Sequence, residues 1–229
     1  MSLISDFISL FFPRSCYVCG NSLYKNEEVL CTRCNLHLPE TNYHKMPDNP
    51  IHKIFWGKIP VVNASDMYFF KKGGSVQRLV HQLKYKGHLE IGTLLGQNYG
   101  HKLKQEERYK DIGLIIPIPL HPKKLRIRGF NQAEVFAGGI AGSMHVQLNS
   151  SAIKRVVATS TQTKKSRYKR WENVSGIFEI TDSAVLENKH ILLVDDVITT
   201  GSTMEACLTQ LNTIPGIRLS VAAIACAVR

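Results

Sequence analysis

Three continuous apolar runs constrain this chain more than any other feature: "IGLIIPIP" (112–119), "HILLVDD" (190–196) and "IRLSVAAIACAV" (217–228). A strand that is apolar at nearly every position, without alternation, must be covered on both faces. Helical periodicity fills the stretches between. Val76, Leu79, Val80 and Leu83 make one face; Ile91, Leu94, Leu95, Tyr99 and Leu103 make a second; Val135, Phe136, Ile140 and Met144 a third; Met204, Cys207, Leu208 and Leu211 a fourth. Buried strands alternating with amphipathic helices predict an α/β fold on a parallel sheet, with ligands bound at the carboxyl ends of the strands.

The second run ends in "DDVITTGST" (195–203). Two adjacent carboxylates at a strand tip repel each other unless a cation or hydrogen-bond donor answers them. The turn that follows leads into a helix, so its backbone N–H groups and the helix dipole form an anion site. Gly201 is expected to let the backbone approach an anion closely, with the hydroxyls of Thr199, Thr200, Ser202 and Thr203 donating to it. Asp195 and Asp196 can accept from vicinal sugar hydroxyls or hold a water on Mg²⁺. A phosphate beside a diol describes a ribose 5-phosphate group. If the acids exist only to meet ligand, replacing both with Asn should leave stability equal or higher.

Cys16-x2-Cys19 and Cys31-x2-Cys34 form two knuckles with an eleven-residue gap. Such a pair completes a tetrahedron of thiolates and predicts a structural Zn²⁺ site with no open position; spacing alone does not separate zinc from iron. Cys207 and Cys226 read as core residues. "MPDNPIHKIFWGKIP" (46–60) carries three prolines and a glycine, which marks a boundary. The expected units are 1–50, an N-terminal helix with the zinc module, and 58–229, the main domain. At the N-terminus, Ile4, Phe7, Ile8 and Phe11 form an apolar face too short to span a bilayer, without the basic start or cleavage site of a signal peptide. A cytoplasmic protein with no membrane span is expected.

The formal charge is +11 over 229 residues, and residues 1–57 contribute none of it: Arg14, Lys25, Arg33, Lys45 and Lys53 balance Asp6, Glu27, Glu28, Glu40 and Asp48. The excess gathers in acid-free stretches at 71–86, 123–128 and 154–170. Each alone is most often a solvated face, but three around one pocket attract polyanions. Lys164, Lys165, Arg167, Lys169 and Arg170 are the candidate polyanion contacts, with the Trp171 indole as a surface for stacking a base if that polyanion is a nucleic acid.

"ILLVDDVITTGST" resembles the phosphoribosyl pyrophosphate (PRPP) motif of type I phosphoribosyltransferases. With "HQLKYKG", "PIPLHPKKLRIRGFNQAEVFA", "RWENVSGIF" and the cysteine knuckles, the chain is similar to the ComF family of competence proteins. The resemblance implies a parallel-sheet type I phosphoribosyltransferase fold behind a four-cysteine zinc module. It implies that Asp195 and Asp196 hold the ribose hydroxyls of PRPP, the catalytic positions if transfer occurs. Thr199, Thr200, Gly201, Ser202 and Thr203 would hold the 5-phosphate, with Lys84, Tyr85, Leu120, His121 and Arg128 near the pyrophosphate and its Mg²⁺. Residues 159–173 would close over it. The implied role is single-stranded DNA and PRPP/Mg²⁺ binding during natural-transformation DNA uptake, with a DNA-translocating ATPase and recombination proteins as partners. The alternative is an active phosphoribosyltransferase with an unidentified acceptor. Thr199 stands where the 6-oxopurine enzymes place an aspartate, so the motif is closer to that of the orotate enzymes.

Overall fold

The computed structural model describes residues 14–156 and 176–227. A four-stranded sheet forms the centre, in the order β1 (Asn63–Phe69), β6 (Arg218–Cys226), β5 (His190–Ile198), β2 (Leu114–Pro117), with every pairing parallel. The three apolar runs are β2, β5 and β6, as their composition predicts. Along β5 the burial works in both directions: Leu192 and Val194 enter one core, Ile191 and Leu193 the other. That is why the run never alternates.

On the first face lie α3 (Ser75–Lys86), α4 (Leu89–Gln105) and α6 (Gln132–Met144), with Leu79, Leu83, Leu95, Tyr99, Phe136 and Ile140 in its core. On the second lie α7 (Ser202–Leu211) and the hairpin β3 (Ile153–Arg155)–β4 (Phe178–Ile180). The short helices are α1 (Thr32–Leu36), α2 (Pro50–Lys53) and α5 (Pro122–Arg128).

Helices α4 and α6 cross at backbone contact. A Cβ on Gly96 would stand 2.2 Å from the Phe136 carbonyl oxygen, and one on Gly139 2.5 Å from that of Thr93. Their glycines allow this approach and let the large side chains on either side interlock.

Segment 39–55 spans the expected boundary and packs against the sheet. The Phe69 N–H donates to Pro39 O (2.8 Å) and the Thr41 N–H to Met67 O (3.1 Å), so the segment runs antiparallel along the free edge of β1. Asn49 caps α2 and donates to Ala64 O at 2.7 Å, while Ile51 and Phe55 are buried in the second core. Among the described residues no helix is long and apolar enough to cross a membrane.

Candidate functional site

β5 outruns its neighbour. Pairing with β2 ends at Pro117 opposite Val194, while pairing with β6 continues to Ile198 opposite Cys226. The Ile118 N–H still reaches Val194 O (2.8 Å), then the chain leaves for α5. Residues 195–198 therefore border a crevice on the β2 side, at the carboxyl edge of the sheet where open α/β folds bind ligands.

Successive side chains on a strand face opposite ways, and the two acids do so here. Asp196 lies on the α3 side, where Lys84 Nζ sits 2.8 Å from its Oδ2. Asp195 lies on the hairpin side, under the charge of the buried Arg155 of β3. Each carboxylate also accepts the next backbone N–H, Asp195 from Asp196 (2.8 Å) and Asp196 from Val197 (2.6 Å). Burial pushes the Asp195 carboxyl well above the ordinary carboxylate range, and the charge of Asp196 adds to this; Lys84 and Arg155 pull the other way. Burial likewise holds the Arg155 guanidinium below its usual value, against Asp195. Arg155 was legible only as part of a basic stretch, because the hairpin that brings it over β5 is a long-range pairing.

The turn after β5 forms a cleft with Asp195, lined by Thr199, Gly201, Ser202 and Thr203. Thr199, Thr200 and Ser202 are exposed, and the Thr200 and Ser202 hydroxyls lie 2.9 Å apart. Gly201 is the N-cap of α7 at φ 77°, and a Cβ there would stand 2.6 Å from Ile54 Cγ2. The glycine is thus required by the left-handed turn and by the packing of Ile54, whatever ligand approaches.

Lys84 links this tip to a second group. Its neighbour Tyr85, 64% exposed, lies under the Arg128 guanidinium at 5.6 Å and against the His81 ring at 4.8 Å. Arg128 also donates to Gln132 Oε1 at 2.7 Å. Within "RGFNQ", Asn131 caps α6 and donates to Ile118 O at 3.0 Å, tying the end of β2 to the helix. His121 accepts the Lys123 N–H as cap of α5, and Leu120 is half-buried beside it. Lys164, Lys165, Arg167, Lys169, Arg170 and Trp171 lie outside the described residues.

At the other end of β5, Ser220, His190 and Asp111 form a hydrogen-bonded line, both contacts 2.8 Å. Ser220 is fully buried and also takes the Asn63 N–H, so the line is a strut without a nucleophile.

The cysteine module folds around its ligands. The Cys16 N–H donates to Asn21 O and the Gly20 N–H to Cys16 O, closing the first knuckle. The buried Glu27 carboxylate accepts from the Tyr24 and Thr32 N–H groups and the Thr32 hydroxyl, fixing the second. The sulfurs of Cys16, Cys19, Cys31 and Cys34 all lie within 4.8 Å of one another, Cys19 and Cys31 at 3.7 Å. Tetrahedral zinc with Zn–S bonds of about 2.3 Å needs S–S edges of roughly 3.8 Å, so the set fits. The module docks on α3 and α4. Tyr17 donates to Glu90 at 2.5 Å, Arg78 donates to Val18 O at 3.0 Å, and Cys16, Val29 and Leu30 join the first core.

A parallel sheet, an acid pair at the tip of an overhanging strand and a hydroxyl-rich turn into a helix define a phosphoribosyltransferase-type domain. A family model described as a phosphoribosyl transferase domain matches residues 131–226, from α6 through β6. The chain belongs to the ComF family of competence and DNA utilization proteins. It is 33% identical over 195 residues to the DNA utilization protein YhgH of Salmonella typhimurium, 82% of this chain and 80% of that protein. It is 30% identical over 133 residues to Competence protein F of Haemophilus influenzae, 55% of this chain and 57% of that one. Among solved structures, adenine phosphoribosyltransferase from Thermoanaerobacter pseudethanolicus is 13% identical, covers 76% of this chain and 96% of its own, and superposes with a TM-score of 0.39.

Proposed function

We propose that this protein binds PRPP with Mg²⁺ at the tip of β5 and single-stranded DNA on its basic surface, acting in the cytoplasm in DNA uptake or utilization. The observation that carries the PRPP reading is the continuity of the site: Asp195 and Asp196 stand directly ahead of the Gly201 cap of α7, with Lys84 2.8 Å from Asp196. The exposed hydroxyls and the backbone N–H groups of the first turn of α7 suit a 5-phosphate. The acids suit the ribose diol, and carboxylate oxygens are the donors Mg²⁺ takes. Lys84 beside Asp196, and Arg128 over the neighbouring Tyr85, would supply positive charge for the pyrophosphate.

The names of the relatives and the charge of +11 support the DNA reading. Its test is affinity for single-stranded DNA across salt concentration, with and without PRPP and Mg²⁺. If Lys164, Lys165 and Arg167 all touch phosphates, changing them to Ala flattens the log–log salt slope by about 2. An unchanged slope and affinity would remove that stretch from the interface. The match to a transferase domain favours a second reading, transfer of the phosphoribosyl group to an acceptor. Pyrophosphate release from PRPP distinguishes it from binding alone.

A further inference from the structure

Trp56 is an exposed aromatic that the PRPP site does not use. It is 53% exposed, yet its ring is fixed. The indole Nε1–H donates to His52 Nδ1 at 3.2 Å, and the other nitrogen of that imidazole bonds Val61 O at 2.8 Å. Lys53 Nζ stands over the ring, 5.6 Å from its centroid. Beside the indole lies a hollow of about 380 Å³, walled by His52, Phe55, Lys58, Pro60 and Val61. The loop is pinned to the start of α7 twice, by Ile54 against Gly201 and by Lys58 on Glu205 at 2.8 Å. Between Asp48 and Asp66 the chain carries His52, Lys53 and Lys58 and no acid.

A held, half-exposed indole with Lys53 against it and open space beside it matches what single-strand binders present to a base: a flat π-surface whose orientation is already set, next to charge for the backbone. We infer that Trp56 is a stacking platform for a nucleobase of single-stranded DNA, placed beside the phosphate turn of α7. The inference rests on the DNA reading above and adds a surface outside the 164–171 stretch. Lys53 covers one face of the indole and supplies charge to an adjoining phosphate, and the base takes the other face.

The test compares the full-length parent with Trp56→Ala and Trp56→Phe, binding an oligothymidylate of roughly 16 nucleotides and an abasic strand of equal length. Trp56→Ala should weaken oligothymidylate binding roughly 5- to 100-fold. It should leave the abasic strand's affinity and the salt slope unchanged, and Trp56→Phe should recover much of the loss. Indole emission of the parent should fall on titration with oligothymidylate, and fall less in Trp56→Phe. Unchanged oligothymidylate affinity in Trp56→Ala, or an equal loss for both strands, overturns the platform. A parent that binds neither strand overturns the DNA reading itself. If the Ala variant does not fold, the Phe variant decides: quenching equal to the parent's overturns the inference.

Discussion

Asp195 and Asp196 are adjacent in the chain but answer to different cations, Lys84 on one side of β5 and Arg155 on the other. Lys84 also acts on Asp195, and the charge of Asp196 adds to the burial that raises the Asp195 carboxyl. Asp196→Asn removes the ion pair with Lys84 and should cost about 1 kcal/mol, while Asp195→Asn removes a carboxylate whose ionisation burial opposes and should leave stability equal or higher near pH 8. Denaturant midpoints of parent and variants check this. Asp66 is raised by burial in the same way. It is buried in β1, its Oδ1 has no hydrogen-bond partner among the described residues, and burial pushes its carboxyl up to about 7. A carboxyl raised in the fold favours the protonated native state. Its contribution is full below the ordinary value near 4 and is lost as pH rises through about 7. Asp66→Asn should accordingly stabilise the protein most near pH 8 and little near pH 5, read from melting temperatures at both. Equal shifts at the two pH values would contradict that assignment.

At the scale of elements, the apolar runs and helix faces were legible because each is a local pattern. Val76, Leu79, Val80 and Leu83 are all buried, as are Met204, Cys207, Leu208 and Leu211. Strand β1 was not legible: it carries Asn63, Ser65 and Asp66 in a buried stretch, and only its place at the sheet edge, with segment 39–41 beside it, makes it a strand. The α4–α6 crossing was equally hidden. Gly92, Gly96 and Gly100 repeat every fourth residue and form the contact face of α4. Gly96→Ala tests the crossing. Helix propensity favours the change by about 1 kcal/mol, but the added Cβ meets a backbone oxygen at 2.2 Å. The clash should win, with a net loss of roughly 1–3 kcal/mol in urea unfolding. A gain in stability would mean that the helices part freely.

In the whole molecule, the cysteine module and the parallel sheet form one packed body, joined through Tyr17, Arg78 and Cys16. Loss of zinc should reach the main domain through these contacts. Protein purified without added metal should carry about one equivalent of zinc, and Cys31→Ser should lose the metal and lower the melting temperature. Unchanged metal content would refute the site. The central claim is that the tip of β5 holds PRPP, and calorimetry with PRPP and Mg²⁺ on the parent, Asp195→Asn and Asp196→Asn tests it most directly. The account predicts saturable binding by the parent, abolished or weakened at least about tenfold in each variant, a difference of about 1.4 kcal/mol, while circular dichroism shows both still folded. Parent affinity retained in both variants would contradict it.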